Sequence, residues 1–319
     1  MNVTPEPRNA LLPDTICFLN GDYTALKDAK ISVMDRGFIF GDGVYEVLPV
    51  YAGQVFRFDQ HMARLARSLA ELHITNPYTP AQWLEIATKL IATHTYSTGA
   101  EGQNSTQKDG VLPSQLIYIQ VTRGVAPRDH VMLPDLIPTV FVMINKMTMP
   151  SAEQRDQGVA CVTAEDFRWK KAHIKSTSLL GAVFARQISF DAGAVETVMF
   201  RDGYLSEAAA SNVWVVKNGK VLGAPKDNLV LEGIRYGLIE ELCREAGIGF
   251  ELRRISRDEV FSADELLLSS ATKEVLAITK LDDKPVGNGA TRGLPGPVYA
   301  RLYEAYQRAK PAPVTITAA

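Results

Sequence analysis

The sequence predicts an α+β fold with largely antiparallel sheets. Short alternating apolar runs recur, joined once by Ala-Gly and otherwise by Asn-Gly or Asp-Gly pairs, which favour the positive φ of tight hairpins. Helical patterns lie between these runs, and hairpins outnumber clear βαβ units. With 319 residues, the chain is long for one hydrophobic core and comfortable for two domains.

Four segments carry the hairpin signal. "ICFLNGDYTAL" turns at Asn20-Gly21, and "YEVLPVYAGQVFRF" at Ala52-Gly53. "TVMFRDGYLSEA" turns at Asp202-Gly203, and "VWVVKNGKVLGA" at Asn218-Gly219.

Helices are expected between them. Asp59 is placed as the cap of one running to Leu72, with Met62, Leu65, Ala66, Leu69 and Leu72 on its inner face. A second covers Thr79 to His94, and a third starts near Lys175 and ends before Gly193. A fourth opens near Gly233, turns Ile234, Leu238, Leu242 and Ala246 inward, and stops at Gly247. A last one spans Pro297 to Arg308.

The strand pattern lapses in "INKMTMPSAEQRDQG". The domain junction is placed there, giving domains 1–147 and 154–319 with a linker at 148–153. "EGQNSTQKDG" (101–110) reads as a polar surface loop, its Asn104-Ser105-Thr106 sequon as a chance match, and "KPAPVTITAA" as a loosely held tail.

Composition narrows the function. Apolar residues make up 46% and charged residues 22%, an ordinary soluble globular balance. Lys and Arg total 34 against 36 Asp and Glu, a formal net charge of −2. That balance gives no electrostatic case for nucleic acid or an anionic membrane as the main partner. Cys17, Cys161 and Cys243 are far apart and odd in number, which argues against a disulfide framework or a zinc site and for a reduced, cytoplasmic protein. "MNVTPEPRNALLPD" lacks the basic-then-apolar run of a signal peptide, and no stretch suits a transmembrane helix.

Several residues could carry chemistry. In "HIKSTSLLGAVF", Lys175 stands before an apolar run. On pattern alone it is either a solvated first-turn lysine or an amine whose pKa is lowered at a helix start, as a nucleophile requires. Glu207 in "YLSEAAASNVWVV" is either a turn glutamate or a carboxylate whose small neighbours let a ligand approach. Gly233 and Ile234 open a helix whose first N–H groups suit a phosphate. Ser269, Ser270 and Thr272 follow an apolar strand and could add a second contact, and Arg64 in "DQHMARLARS" is a solvated arginine or an anion ligand. Arg128 and His130 in "APRDH" share one side of an extended segment, and on pattern alone they read as part of a polar surface loop.

In order, "MDRGFIFGDGVYEV", "HMARL", "IQVTRGVAPRDH", "HIKSTSLLGAVFARQ", "LSEAAASNVWVV", "LEGIR" and "SSATKEV" resemble the fold-type IV pyridoxal-phosphate (PLP) aminotransferases, and among them the D-amino acid aminotransferase branch. The resemblance runs from Ile31 to Leu281. It implies two domains, a small N-terminal α/β sandwich and a larger C-terminal pseudo-barrel. It also implies PLP as cofactor and a homodimer whose active site is shared across the interface.

Residue by residue, the resemblance makes Lys175 the lysine that holds PLP covalently and moves the α-proton. Glu207 pairs with the pyridine nitrogen, and Arg64 and the backbone at Ile234 and Arg235 receive the phosphate. Arg168 lies near the cofactor's 3′ oxygen, and Leu231 packs on the ring. Tyr45, Arg128 and His130 clamp the substrate carboxylate, Arg128 and His130 from the neighbouring subunit. Arg235 and Ala271 depart from the branch, which can have threonines there, and Ser270 and Thr272 are the compensating hydroxyls. The implied reaction moves an amino group from a D-amino acid such as D-alanine to a 2-oxo acid such as 2-oxoglutarate by a ping-pong mechanism. Rivals of the same fold are a branched-chain L-amino acid or (R)-amine transaminase and an aminodeoxychorismate lyase. A non-enzyme rival is a PLP-binding carrier or regulator.

Overall fold

Each of the four turn pairs closes a hairpin in the computed structural model, which describes residues 15–97 and 113–312. Asp202 and Gly203 have φ of 52° and 78°, the left-handed pair that a two-residue turn demands. The expected loop at 101–110, its sequon, the N-terminal segment and all but the start of the tail lie outside the described residues.

The described residues form two compact units. The first runs through Met147 and takes in Lys175–Ser178, Pro311 and Ala312; the second comprises Thr148–Ile174 and Leu179–Lys310.

The first unit is built on β1 (Ile16–Leu19), β2 (Asp22–Ala25), β3 (Gly43–Tyr51), β4 (Gln54–Val55), β5 (Gln115–Thr122) and β6 (Thr139–Lys146). They make one antiparallel sheet in the order β2-β1-β6-β5-β3-β4. Along β5, buried Ile117, Ile119 and Val121 alternate with half-buried residues, as a sheet with one packed face requires. Helices α1 (Arg36–Phe40), α2 (Phe58–Glu71) and α3 (Pro80–Ser97) complete the unit, with α2 on β3 and α3 on β1 and β6.

Two details of α2 differ from expectation. Its N-cap is Arg57, in the left-handed region at φ 56°, while Asp59 is exposed in the first turn, where a carboxylate complements the helix dipole. Ala66 is exposed, and the inner face carries His61, Arg64 and Ser68 beside Met62, Leu65 and Leu69. Polar side chains thus take inward positions that an apolar pattern cannot mark.

The second unit opens with α4 (Ala152–Gln157) and contains β7 (Val159–Glu165), α5 (Leu180–Asp191), β8 (Glu196–Arg201), β9 (Tyr204–Ala208), β10 (Asn212–Lys217) and β11 (Lys220–Gly223). It continues through α6 (Ile234–Glu245), β12 (Gly249–Leu252), α7 (Arg257–Phe261), β13 (Glu265–Ser270), β14 (Glu274–Leu281), β15 (Lys284–Pro285) and α8 (Pro297–Ala309). The strands form a nine-stranded sheet ordered β12-β11-β10-β13-β14-β7-β8-β9, with β15 on β14, that curls as a half-barrel.

This sheet is more mixed than the hairpins alone imply. β11 pairs parallel with β12, and β7 pairs parallel with both β14 and β8. Helices α5 and α6 account for two of these pairs, since α5 lies in the chain between β7 and β8 and α6 between β11 and β12. Val198, Phe200, Val213, Val215, Leu266, Leu268, Leu276 and Ile278 form its core. Ile234, Leu238 and Leu242 of α6 are buried as expected, whereas Ala246 is a half-buried C-cap beyond the last helical residue.

The helix expected to start near Lys175 begins at Leu180. From Ile174 to Thr177, buried and half-buried residues alternate with the period of a strand. Ser176 bridges antiparallel to Val44, so this stretch is extended.

Candidate active site

Lys175 is fixed by its own backbone. The N–H of Tyr45 donates to the Lys175 carbonyl (3.0 Å), and the N–H of Thr177 donates to the Gly43 carbonyl (2.9 Å). The N–H of Lys175 donates to Ser68 Oγ on α2 (3.3 Å). The half-buried lysine sets its Nζ 4.1 Å from the centroid of the Tyr45 ring. The ring face is electron-rich and attracts the ammonium. Tyr45 lies 5.8 Å from Tyr118, whose phenol burial pushes up to about 12, with a further push from Tyr45. Tyr118 therefore keeps its proton at neutral pH and donates it to Gln120 Oε1 (2.7 Å).

On β3 stands a buried carboxylate that the sequence reading did not single out. Arg64 Nε and Nη2 donate to Glu46 Oε1 and Oε2 at 2.7 and 2.8 Å. His61 Nδ1 lies 2.7 Å from Glu46 Oε2. Burial raises the Glu46 pKa, but the charge of Arg64 and the hydrogen bonds from Arg64 and His61 reverse it and hold the carboxyl well below the ordinary range. One edge of the Arg64 fork is thus engaged by Glu46, which fixes the guanidinium in place. The signal was Glu46 directly after Tyr45, with His61 and Arg64 three apart on one helix face.

Arg128 and His130 are both exposed and both lie against Phe40. The Arg128 guanidinium carbon is 5.5 Å from the Phe40 centroid, and the His130 ring is 5.3 Å away. Among the described residues Arg128 has no carboxylate partner.

In the second unit Glu207 is buried on β9. Arg168 Nη1 donates to Glu207 Oε1 (2.5 Å), Asn212 Nδ2 donates to Oε2 (3.1 Å), and the Leu231 N–H lies 3.3 Å from both oxygens. Burial pushes the Glu207 carboxyl up; Arg168 and the Leu231 N–H pull against it but leave the net shift upward. Arg168 is itself positioned by Asp166, which accepts from its backbone N–H, Nε and Nη2 at 3.1, 2.9 and 2.9 Å. Burial works against the guanidinium charge, but the two carboxylates outweigh it and raise the Arg168 pKa. Asp166, two residues before Arg168, had no reading of its own from sequence.

Gly233 is the N-cap of α6 and makes no side-chain cap, so the helix opens at Ile234 and Arg235 with the backbone N–H dipole of its first turn. A Cβ at Gly233 would stand 2.1 Å from Asn212 Oδ1, so the residue must be glycine for Asn212 to reach Glu207. The Arg235 side chain is buried and donates through Nη2 to Tyr306 Oη (3.0 Å). Ser269 Oγ accepts from Trp214 Nε1 (2.9 Å), and Ser270 Oγ from the Lys273 N–H (3.1 Å). Ala271 and Thr272 are half-buried in the turn between β13 and β14.

The donor chemistry fits PLP. A buried carboxylate flanked by a cation can take a protonated ring nitrogen, the uncapped α6 terminus suits a phosphate, and Lys175 is an amine against an aromatic face. No group of His, Cys, Asp and Glu suited to a metal occurs among the described residues.

Comparison with known proteins agrees with this chemistry. Residues 43–281 match the amino-transferase class IV family. The chain is 35% identical over 288 residues to a D-alanine aminotransferase of Bacillus licheniformis, covering 90% of this chain and 94% of that one. It is 33% identical over 292 residues to a D-alanine aminotransferase of Staphylococcus aureus (strain COL), covering 91% and 96%. A branched-chain amino acid aminotransferase of T.th., solved with N-(5'-phosphopyridoxyl)-L-glutamate, has the same fold, with a TM-score of 0.79, 21% identity and coverage of 93% and 94%. By the length of the family match and the identity to those relatives, the chain belongs to the class IV aminotransferases, PLP-dependent enzymes of fold type IV.

Proposed function

We propose that this enzyme is a D-amino acid aminotransferase that moves the amino group of a D-amino acid such as D-alanine to a 2-oxo acid such as 2-oxoglutarate. The observation that carries the reading is the Arg128–His130 pair, two donors side by side on Phe40 with no carboxylate partnering the guanidinium among the described residues. A substrate α-carboxylate is the anion such a pair would take. The 33–35% identity to relatives named D-alanine aminotransferase supports it.

Bound PLP supplies an electron sink for the pair released when the Cα–H bond of the amino acid breaks. Lys175 would hold the cofactor covalently, and its amine would take the proton from the substrate Cα and return it on the cofactor side. Glu207 would accept the N–H of the ring nitrogen, with Arg168, bonded to it, opposing loss of the carboxylate charge; Arg168 would also serve the 3′ oxygen. Leu231 would pack on the ring face. Arg64, oriented by Glu46, and the backbone of Ile234, Arg235 and the Ser270–Ala271 turn hold the phosphate. Tyr45 is the third donor to the substrate carboxylate. Arg128 and His130 serve the active site of a second copy, which makes the working unit a homodimer.

A cytoplasmic location fits three cysteines that are free and buried. Among the described residues no helix is long and apolar enough to cross a membrane.

The deciding experiment assays D-alanine and L-leucine, each with 2-oxoglutarate. Turnover of D-alanine and little of L-leucine is the expected result, and turnover of L-leucine alone contradicts it. Pyruvate released from aminodeoxychorismate would make the protein a lyase. Amine donors without a carboxylate as sole substrates would make it an (R)-amine transaminase. Bound PLP that no amino donor converts would leave a carrier or regulator.

A further inference from the structure

Phe40, at the end of α1, receives more than the Arg128–His130 pair. The Arg36 guanidinium also lies over the ring, 4.9 Å from its centroid. Arg36 is buried and anchored: its Nε donates to Asp42 Oδ2 (2.7 Å), and its Nη1 donates to the Asp129 carbonyl (2.5 Å). Asp129 stands between Arg128 and His130 in the chain. The same Asp42 carboxylate accepts from Arg123 Nε and Nη2 at 2.7 and 3.0 Å. Burial raises the Asp42 pKa, but the two arginines outweigh it and hold the carboxyl below the ordinary range. Arg36 is thus charge-compensated at one end and grips the loop backbone at the other, while Arg128 keeps its charge for another anion.

We infer that Phe40 and Arg36 are the positioning residues of the substrate-carboxylate clamp: the Phe40 ring is the platform on which Arg128 and His130 are aligned, and Arg36 fixes the backbone between them. This rests on the reading of Arg128 and His130 as carboxylate donors. Residues 124–130 belong to no strand: the Gly124 N–H donates to Thr122 Oγ1 and its carbonyl accepts from the Arg36 N–H, the Ala126 N–H donates to the Met34 carbonyl, and Val125 forms one isolated bridge to Asp35, but residues 127–130 have no ladder to define them. Two exposed side chains in such a segment would sample many rotamers, and ordering them on binding costs affinity. A shared ring meets that cost before substrate arrives. Replacing the ring leaves both donors present but unaligned. The loss then falls on recognition of the carboxylate, common to donor and acceptor, and not on proton transfer or cofactor binding.

The test compares Phe40→Leu, Phe40→Tyr and Arg128→Ala as PLP-loaded enzymes, measuring KM and kcat for D-alanine and for 2-oxoglutarate, cofactor absorbance and Tm. Phe40→Leu is expected to raise both KM values on the order of tenfold, the loss of two modest ring contacts, with the cofactor band and Tm kept. Phe40→Tyr keeps the ring and is expected to restore KM. If Phe40→Leu leaves KM unchanged while Arg128→Ala raises it, the positioning role is wrong and the clamp stands. If Arg128→Ala leaves KM unchanged, the clamp itself is wrong. A fall in kcat with loss of the cofactor band in Phe40→Leu, uncorrected by Phe40→Tyr, would show a general structural role and overturn the inference.

Discussion

Arg168 Nη1 meets Glu207 Oε1 at 2.5 Å, while Asp166 accepts from the rest of the Arg168 fork. Burial and Asp166 drive the Glu207 carboxyl toward its neutral form, and Arg168 is the main force against it. For the role proposed for Glu207, the carboxylate has to stay charged, and Arg168 is the group that would keep it so. Glu207→Gln keeps the shape and removes the charge. Its kcat is expected to fall on the order of 10²–10³-fold, the loss typical of one preorganised electrostatic partner, with the fold kept. Steady-state kinetics with D-alanine check this.

Asp166→Asn leaves Glu207 untouched but gives up a charged acceptor for two N–H groups of Arg168. The guanidinium then loses its fixed aim. A displacement of the order of 1 Å can cost ~100-fold, and a kcat loss of that size with a shifted cofactor absorbance is expected. Unaltered absorbance and kcat would show that Asp166 serves stability alone.

Gly233 stands at φ −63°, an ordinary angle for any residue, so its need for glycine is steric. The added methyl of Gly233→Ala would press on Asn212 Oδ1 and push Asn212 off Glu207. Overpacking of this kind costs ~1–3 kcal/mol. PLP affinity is expected to weaken roughly tenfold or more, readable by titrating apoenzyme with PLP.

The Glu46 pair sets a pH dependence. The Glu46 pKa is lowered in the fold from its ordinary 4.5, so the unfolded chain binds the proton first. Its stabilisation is fully present above that ordinary value and is lost as pH falls below it. Glu46→Gln should destabilise by about 3–5 kcal/mol at neutral pH, because Arg64 and His61 keep their positions without the charge. Urea melts should show the gap between wild type and variant shrinking below about pH 4.5; a gap that stays constant through strong acid would contradict the assignment.

The hairpins were legible because each needs only a local pair such as Asn218-Gly219 at positive φ. The mixed pairing of the second sheet was not, because the strand order β14-β7-β8 depends on which distant edges meet. Lys175 was legible as a nucleophile candidate and misplaced as a helix-start residue. Four residues of strand period preceded a stronger apolar helical run. Glu46 and His61 escaped because His61 and Arg64 reach Glu46 only by packing, across 15 and 18 residues, and Asp166 escaped because no local pattern marks a carboxylate that turns back onto the arginine two residues on.

The central claim is that Lys175 carries the cofactor. Borohydride reduction of the PLP-loaded enzyme, followed by peptide mass mapping, fixes the cofactor on whichever lysine bears it. The account predicts the added mass on the peptide containing Lys175, and none after prior conversion with D-alanine. Label on Lys170 or Lys171, or label that survives in Lys175→Ala, would contradict it.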